Sequence, residues 1–239
     1  MVSDADPRIL PCGDAAVAVE FGTEIDPALN RRVLALDAAL ADRPWLVETV
    51  PTYRSLLVHY DPTAIEYEAL RADILGAARR ARPIDAAGRS WTIPVAYGGE
   101  HGIDLDATAA AHGLTPDELV RRHLAPTYRV YMIGFLPGFA YLGGLDPSIA
   151  TPRRTTPRLR TPPGTISIGG VQALVASIEA PSGWHLLGRT PVRNFMPGRD
   201  PVFLLRPGDR VRFRAIDPAF FAELDRAAAS GAFVAELAP

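Results

Sequence analysis

The spacing of apolar and polar positions changes along the chain and divides it near residue 85. Before that point, AVAVEF (16–21) alternates as a strand does. Residues 26–40 place Leu29, Val33, Leu36 and Leu40 at helical spacing, with Asp26 as the N-cap and Pro27 in the first turn. WLVETV (45–50) and SLLVHY (55–60) read as two strands joined by a turn at Pro51 and Thr52. AIEYEALRADILGAARRA (64–81) is amphipathic at helical period and ends in basic residues, where the helix dipole favours them. The order β-α-β-β-α predicts a small α+β sandwich, a sheet with helices on one face, over residues 1–85. Pro83 to Gly88 reads as a linker.

The second region, 86–239, opens with the strand WTIPVAYGG (91–99). Two short helices follow, the second with a capping box of Thr115 and Glu118 and with Pro116 in its first turn. Short apolar runs then recur about every ten residues: TISIGG, ALVASI, WHLLG, PVFLLR and RVRFRAI. Many short strands with regular turn signals predict a sandwich or a barrel. The tail, DPAFFAELDRAAASGAFVAEL, predicts a capped helix.

Between these parts lies the most unusual stretch. No charged residue occurs from Val130 to Leu145, yet Pro137 and the glycines 134, 138, 143 and 144 interrupt the run. A membrane span needs about 18 continuous apolar residues, and Pro and Gly break helix interiors, so neither reading holds. What remains is a strand, TYRVYMI, entering a glycine-hinged apolar loop whose Phe135, Phe139 and Tyr141 can wall a concave pocket. Arg153, Arg154, Arg158 and Arg160 follow at once, spaced by Pro152, Pro157, Pro162 and Pro163. Between Asp146 and Asp200 there are seven arginines and one acid, Glu179. A chain of formal charge −2 thus carries one strongly positive, stiff segment, suited to an anion because the guanidinium fork fits carboxylate or phosphate.

Composition removes several chemistries. The chain has no lysine, so a P-loop and a Schiff base are both ruled out. No Gly-x-Ser-x-Gly elbow occurs, no pair of the five histidines stands at metal-ligand spacing, and Cys12 is alone, so no metal site is expected. His185, the one histidine in the positive segment, is a candidate acid or base. Gln172 is a candidate to hold an amide or a carboxylate. A pI of about 6.2 and the lack of aromatics among the arginines argue against nucleic acid. The opening MVSDADPRILPCG has neither a basic nor an apolar leader pattern, so a cytoplasmic chain not associated with membrane is expected.

The stretch GFLPGFAYLGGLDPSIATPRRTTPRLRTPPGTISIGGVQ, followed by PSGWHLLGRTPV and LLRPGDRVRF, resembles the B subunit of the ATP-dependent bacterial 5-oxoprolinases. That family also covers allophanate hydrolase subunit 1 and a sporulation kinase inhibitor. The resemblance extends over nearly the whole chain, including Cys12-Gly-Asp-Ala-Ala-Val and Pro94-Val-Ala-Tyr-Gly-Gly. It implies a small N-terminal α+β domain followed by a mainly-β cyclophilin-like barrel. It also implies a heteromeric complex with two partners, the homologous C subunit and the A subunit. That complex opens 5-oxo-L-proline to L-glutamate while ATP is hydrolysed, the ATP being handled by the partners. Carried over by position, the family motif marks Phe139, Tyr141, Arg153, Arg154, Arg158, Gln172, Trp184 and Arg189. With His185 from the positive segment, these supply the candidate substrate-binding residues. Two departures from the pattern stand out: Ala173-Leu174 stands where Thr-Gly is common, and Ser182 where a glycine is common.

The expected reading is a subunit inactive on its own, with Arg154 and Arg158 on the substrate carboxylate or an activated phosphate, Gln172 on the amide, and Phe139 and Tyr141 against the ring. No catalytic nucleophile is identified in the chain. Two other functions fit the same family: a regulatory protein that binds and inhibits a histidine kinase, and the carboxyltransferase-like half of a urea or allophanate enzyme.

Overall fold

The computed structural model describes residues 6–82 and 88–238; most of the predicted linker at 83–88 lies outside them. The chain divides into two compact units, Met1–Ala86 and Ala87–Pro239.

The first unit contains β1 (Arg8–Pro11), β2 (Ala16–Glu20), α1 (Pro27–Leu40), β3 (Leu46–Pro51), β4 (Ser55–Tyr60) and α2 (Tyr67–Arg80). Its four strands form an antiparallel sheet in the order β1-β2-β4-β3. Alternation along β2 and β4 sends Val17, Val19, Leu56, Val58 and Tyr60 to one face, where they meet Val33, Leu36 and Leu40 of α1 and Leu70, Ile74 and Ala77 of α2. The start of α1 is fixed by Asp26, whose carboxylate accepts the Ala28 amide at 2.5 Å. The strand β1 has no counterpart among the predicted elements, because RILP is short and ends in proline. It lies at the sheet edge, where a residue without an N–H is tolerated.

The second unit contains β5 (Ser90–Tyr97), α3 (Leu105–Ala111), α4 (Pro116–Leu124), β6 (Tyr128–Ile133), β7 (Ala140–Gly143), β8 (Arg158–Thr161), β9 (Thr165–Gly169), β10 (Gln172–Val175), β11 (Ala180–Ser182), β12 (His185–Arg189), β13 (Arg210–Ala215), α5 (Pro218–Ala229) and β14 (Glu236–Leu237). Seven strands in the order β12-β9-β10-β7-β6-β13-β5 close into a barrel through the β5–β12 pairing, and β14 adds to β5. Inward side chains such as Ile93, Val130, Leu142, Ile166, Ile168 and Val211 fill the barrel, and Leu105 and Leu119 of α3 and α4 join the same cluster. A small hairpin, β8 with β11, stands apart.

Two local expectations are corrected. PVFLLR (201–206) is not a strand. The Leu204 and Leu205 amides donate to the backbone and side-chain oxygens of buried Asn194, at 2.9 and 2.8 Å, so a side chain takes part of the place of a ladder. The tail is not one helix: α5 stops before Gly231, whose φ of +97° suits a C-terminal cap, and the chain then turns back as β14 on β5.

Candidate functional site

The strand pair β7–β10 sets up the site. Ala140 and Leu142, with Ala173 and Val175, point into the barrel, so Tyr141 and Leu174, directly opposite each other, point outward. There they join a second apolar cluster with Phe139, Ala176, Ala180 and Trp184. The Trp184 indole lies over Gly169, where a Cβ would come within 2.7 Å of the ring, so only glycine leaves room for it. Tyr141 meets Trp184 edge-on at 5.9 Å between centroids, and Phe135 meets Phe139 in the same way at 5.7 Å.

The loop ahead of Phe139 is strained and pinned. Phe135 has φ of +72°, an uncommon conformation for a bulky residue, and is 64% exposed. The Gly138 carbonyl accepts from the buried Asn194 amide and the Pro137 carbonyl from the Ser177 hydroxyl. A Cβ at Gly138 would stand 2.6 Å from Phe195. These bonds over-determine a loop whose exposed aromatic contributes little burial, the pattern expected where strain serves a site.

The arginine segment forms the other wall. Arg153 lies 5.4 Å above the Trp184 ring, and the Arg154 amide donates to the Gly183 carbonyl at 2.7 Å. Arg153 and Arg154, with Pro157, Ser182 and Gly183, line a cleft of about 260 Å³ together with Phe135, Phe139, Tyr141, Leu174 and Trp184. Beneath them sits Asp104, a buried carboxylate at the start of α3. It receives Arg158 through two bonds of 2.8 and 2.6 Å, the Leu186 amide at 2.8 Å, and Arg154 at 3.5 Å. The buried Nε of Arg154 has no hydrogen-bond partner among the described residues. Burial raises the Tyr141 pKa, opposed by the Arg153 charge, so its phenol stays protonated and able to donate near neutral pH.

Of the residues singled out from the sequence, Phe139, Tyr141, Arg153 and Arg154 meet in this cleft. Arg158 is spent on Asp104. Gln172 opens β10 on the same strand face as Leu174 but does not line the cleft. His185 is tied through Nε2 to the Pro152 carbonyl at 2.8 Å. Arg189 lies outside the cleft, over the Phe221 ring at 5.4 Å, with Nε on the Pro163 carbonyl; burial holds its pKa below the usual arginine value. Leu174 and Ser182, where the sequence departs from the family pattern, are both lining residues. Asp104 escaped the sequence reading: it is 50 residues from the arginines, and only the shortage of acids in their segment hinted at a distant counter-ion. Among the described residues no group of three potential metal ligands occurs, and no helix is long and apolar enough to cross a membrane.

Residues 7–205 match the family described as carboxyltransferase domain, subdomain C and D. Over 219 residues the chain is 39% identical to a protein of Bacillus subtilis named as the B subunit of 5-oxoprolinase, covering 86% of this chain and 91% of that one. The chain belongs to this family. Among solved structures, that of TTHA0988 is 37% identical with a TM-score of 0.76; the match covers 84% of this chain and 40% of that one. The urea amidolyase of Kluyveromyces lactis, 20% identical, superposes with a TM-score of 0.84 over 99% of this chain and 16% of its own, a likeness of fold. The family match spans six of the seven barrel strands, and the cleft described above lies on the outer wall of the barrel.

Proposed function

We propose that this chain is one subunit of an ATP-dependent 5-oxoprolinase-type hydrolase and that the cleft seats 5-oxo-L-proline for opening to L-glutamate. The observation that carries the reading is the meeting of an aromatic wall with two arginines in a space of about 260 Å³, in a chain whose relatives are named as 5-oxoprolinase subunits.

The substrate is a small flat lactam bearing one carboxylate. Its ring packs against Phe139, Tyr141 and Trp184, and its carboxylate meets Arg154, aimed from below by Asp104. The phenol of Tyr141 donates to the lactam carbonyl, whose oxygen gains charge as the C–N bond is attacked. Gln172, outside the cleft, is replaced in this role by Tyr141, and Arg158 becomes the support of Arg154 rather than a substrate contact. The reaction adds water across the lactam C–N bond; a resonance-stabilised amide needs activation, which the accompanying ATP hydrolysis supplies. With no lysine in the chain and a cleft sized for an amino acid, nucleotide hydrolysis is assigned to partner subunits, as is the attacking group.

The test is glutamate release from 5-oxoproline and ATP by the reconstituted complex, each chain being left out in turn. Loss of release when this chain is omitted supports the proposal; full release without it refutes it.

A further inference from the structure

A second concave site lies on the barrel wall formed by β6, β13 and β5, and it shares no lining residue with the cleft. It has a volume of about 520 Å³, roughly twice that of the cleft. Among the described residues its charged lining is positive, Arg129, Arg210 and Arg212, accompanied by the hydroxyls of Ser90, Thr92 and Thr127. Strand register explains the grouping. Arg210 stands across from Arg129 on one side and Ser90 on the other, and Arg212 across from Thr92, while the alternate residues Tyr128, Val211 and Trp91 are buried. Outward arginines at 210 and 212 therefore share one face, and like charges directly across a strand pair repel.

Among the described residues, the two acids on or beside these strands are committed elsewhere. Asp209 is buried and accepts from Arg89, the Trp91 indole and the Arg206 amide. Glu236, across from Thr92, turns to Arg214 at 2.9 Å. The Arg210 side chain makes no hydrogen bond or ion pair among the described residues, and Arg212 donates only its Nε, to the Thr127 hydroxyl at 2.9 Å. That bond holds one guanidinium with its terminal amino groups open. A fixed guanidinium, an open one and several hydroxyls, with no carboxylate side chain in the lining among the described residues, form a set of donors without a charged acceptor there.

We infer that this groove is an oxyanion site for a multiply charged phosphate group, separate from the substrate cleft. A monocarboxylate engages one guanidinium fork and leaves the other of Arg210 and Arg212 unbalanced, whereas a phosphate or pyrophosphate offers several acceptor oxygens to both. The floor is closed by buried Trp91 and Tyr128, so no aromatic face is offered for a base to stack on, and recognition rests on the phosphate itself.

The experiment is calorimetric titration of the full chain with inorganic pyrophosphate, inorganic phosphate and ADP at two salt concentrations. Saturable one-to-one binding, weakened by salt and lowered about tenfold or more by Arg210→Ala with Arg212→Ala, is the expected result. Arg153→Ala with Arg154→Ala leaves it unchanged. ADP binding no tighter than pyrophosphate supports recognition through phosphate alone; tighter ADP binding contradicts it, because the base would then be read as well. Absence of saturable binding, or binding that survives the double substitution, overturns the inference. Both side chains are at the surface, and circular dichroism with the single Arg210→Gln change separates loss of the site from loss of fold.

Discussion

The carboxylate of Asp104 holds the Arg158 guanidinium through two bonds, at 2.8 and 2.6 Å, under the segment that presents Arg153 and Arg154. Asp104 is 5% exposed and the Arg158 side chain 22%. Breaking a pair this buried strands one charge, and Asp104 also receives the Leu186 amide. Asp104→Asn is expected to destabilise the protein by about 3 kcal/mol, read by urea unfolding. An unchanged midpoint would show that the pair contributes nothing.

Phe135 separates stability from function. Its left-handed backbone costs about 1–2 kcal/mol, and little burial offsets it. Phe135→Gly removes that strain but adds unfolded-state freedom of about 0.5–1 kcal/mol. Unfolding free energy is expected to stay within about 1 kcal/mol of the parent while the KM for 5-oxoproline rises. A stability loss well beyond that range would contradict the strain argument.

Gly169 keeps the floor of the cleft open. A Cβ there meets the Trp184 indole at 2.7 Å, so Gly169→Ala must push the ring toward the space between Tyr141 and Arg153. The expected outcome is overpacking worth about 1–3 kcal/mol together with a higher KM. An unaltered KM would mean that the indole does not shape the site.

Acid sensitivity follows from His123, which is fully buried on Phe213, with Nδ1 2.8 Å from the Tyr97 hydroxyl. Burial lowers its pKa to about 3, against about 6.5 in the unfolded chain. Between those values the unfolded state binds the additional proton. Stability is therefore full above about pH 6.5 and falls on acidification, by up to about 1.4 kcal/mol per pH unit. His123→Phe should be less stable at neutral pH, because Tyr97 loses its partner, but should show a flatter decline between pH 6.5 and 5. Equal slopes would remove His123 as the cause.

What the sequence disclosed was whatever local rules encode. Asp26 with Pro27, and Thr115 with Glu118, placed the starts of α1 and α4 because a cap is a short-range hydrogen bond. The apolar loop announced Phe135, Phe139 and Tyr141 as a wall because Gly and Pro left no regular alternative. β7, β8 and β11 were hidden, since a strand of three or four residues near glycines or prolines owes its existence to the partner across from it. The division of labour among the arginines was equally non-local. Arg154 and Arg158 are alike in sequence, and only Asp104, brought in by α3, assigns one to the cleft and one to its support. Gln172 is on the right strand face and still misses the cleft, because Leu174 occupies the place nearer to it.

The central claim is that the cleft binds the substrate carboxylate through Arg154. Its most direct test is the KM for 5-oxoproline in the reconstituted complex carrying Arg154→Ala, beside Arg160→Ala, a residue 82% exposed and 3.5 Å from Glu179. Loss of a charge-assisted contact predicts a KM raised about tenfold or more for the first and unchanged for the second. Equal kinetics in the two variants would contradict the assignment.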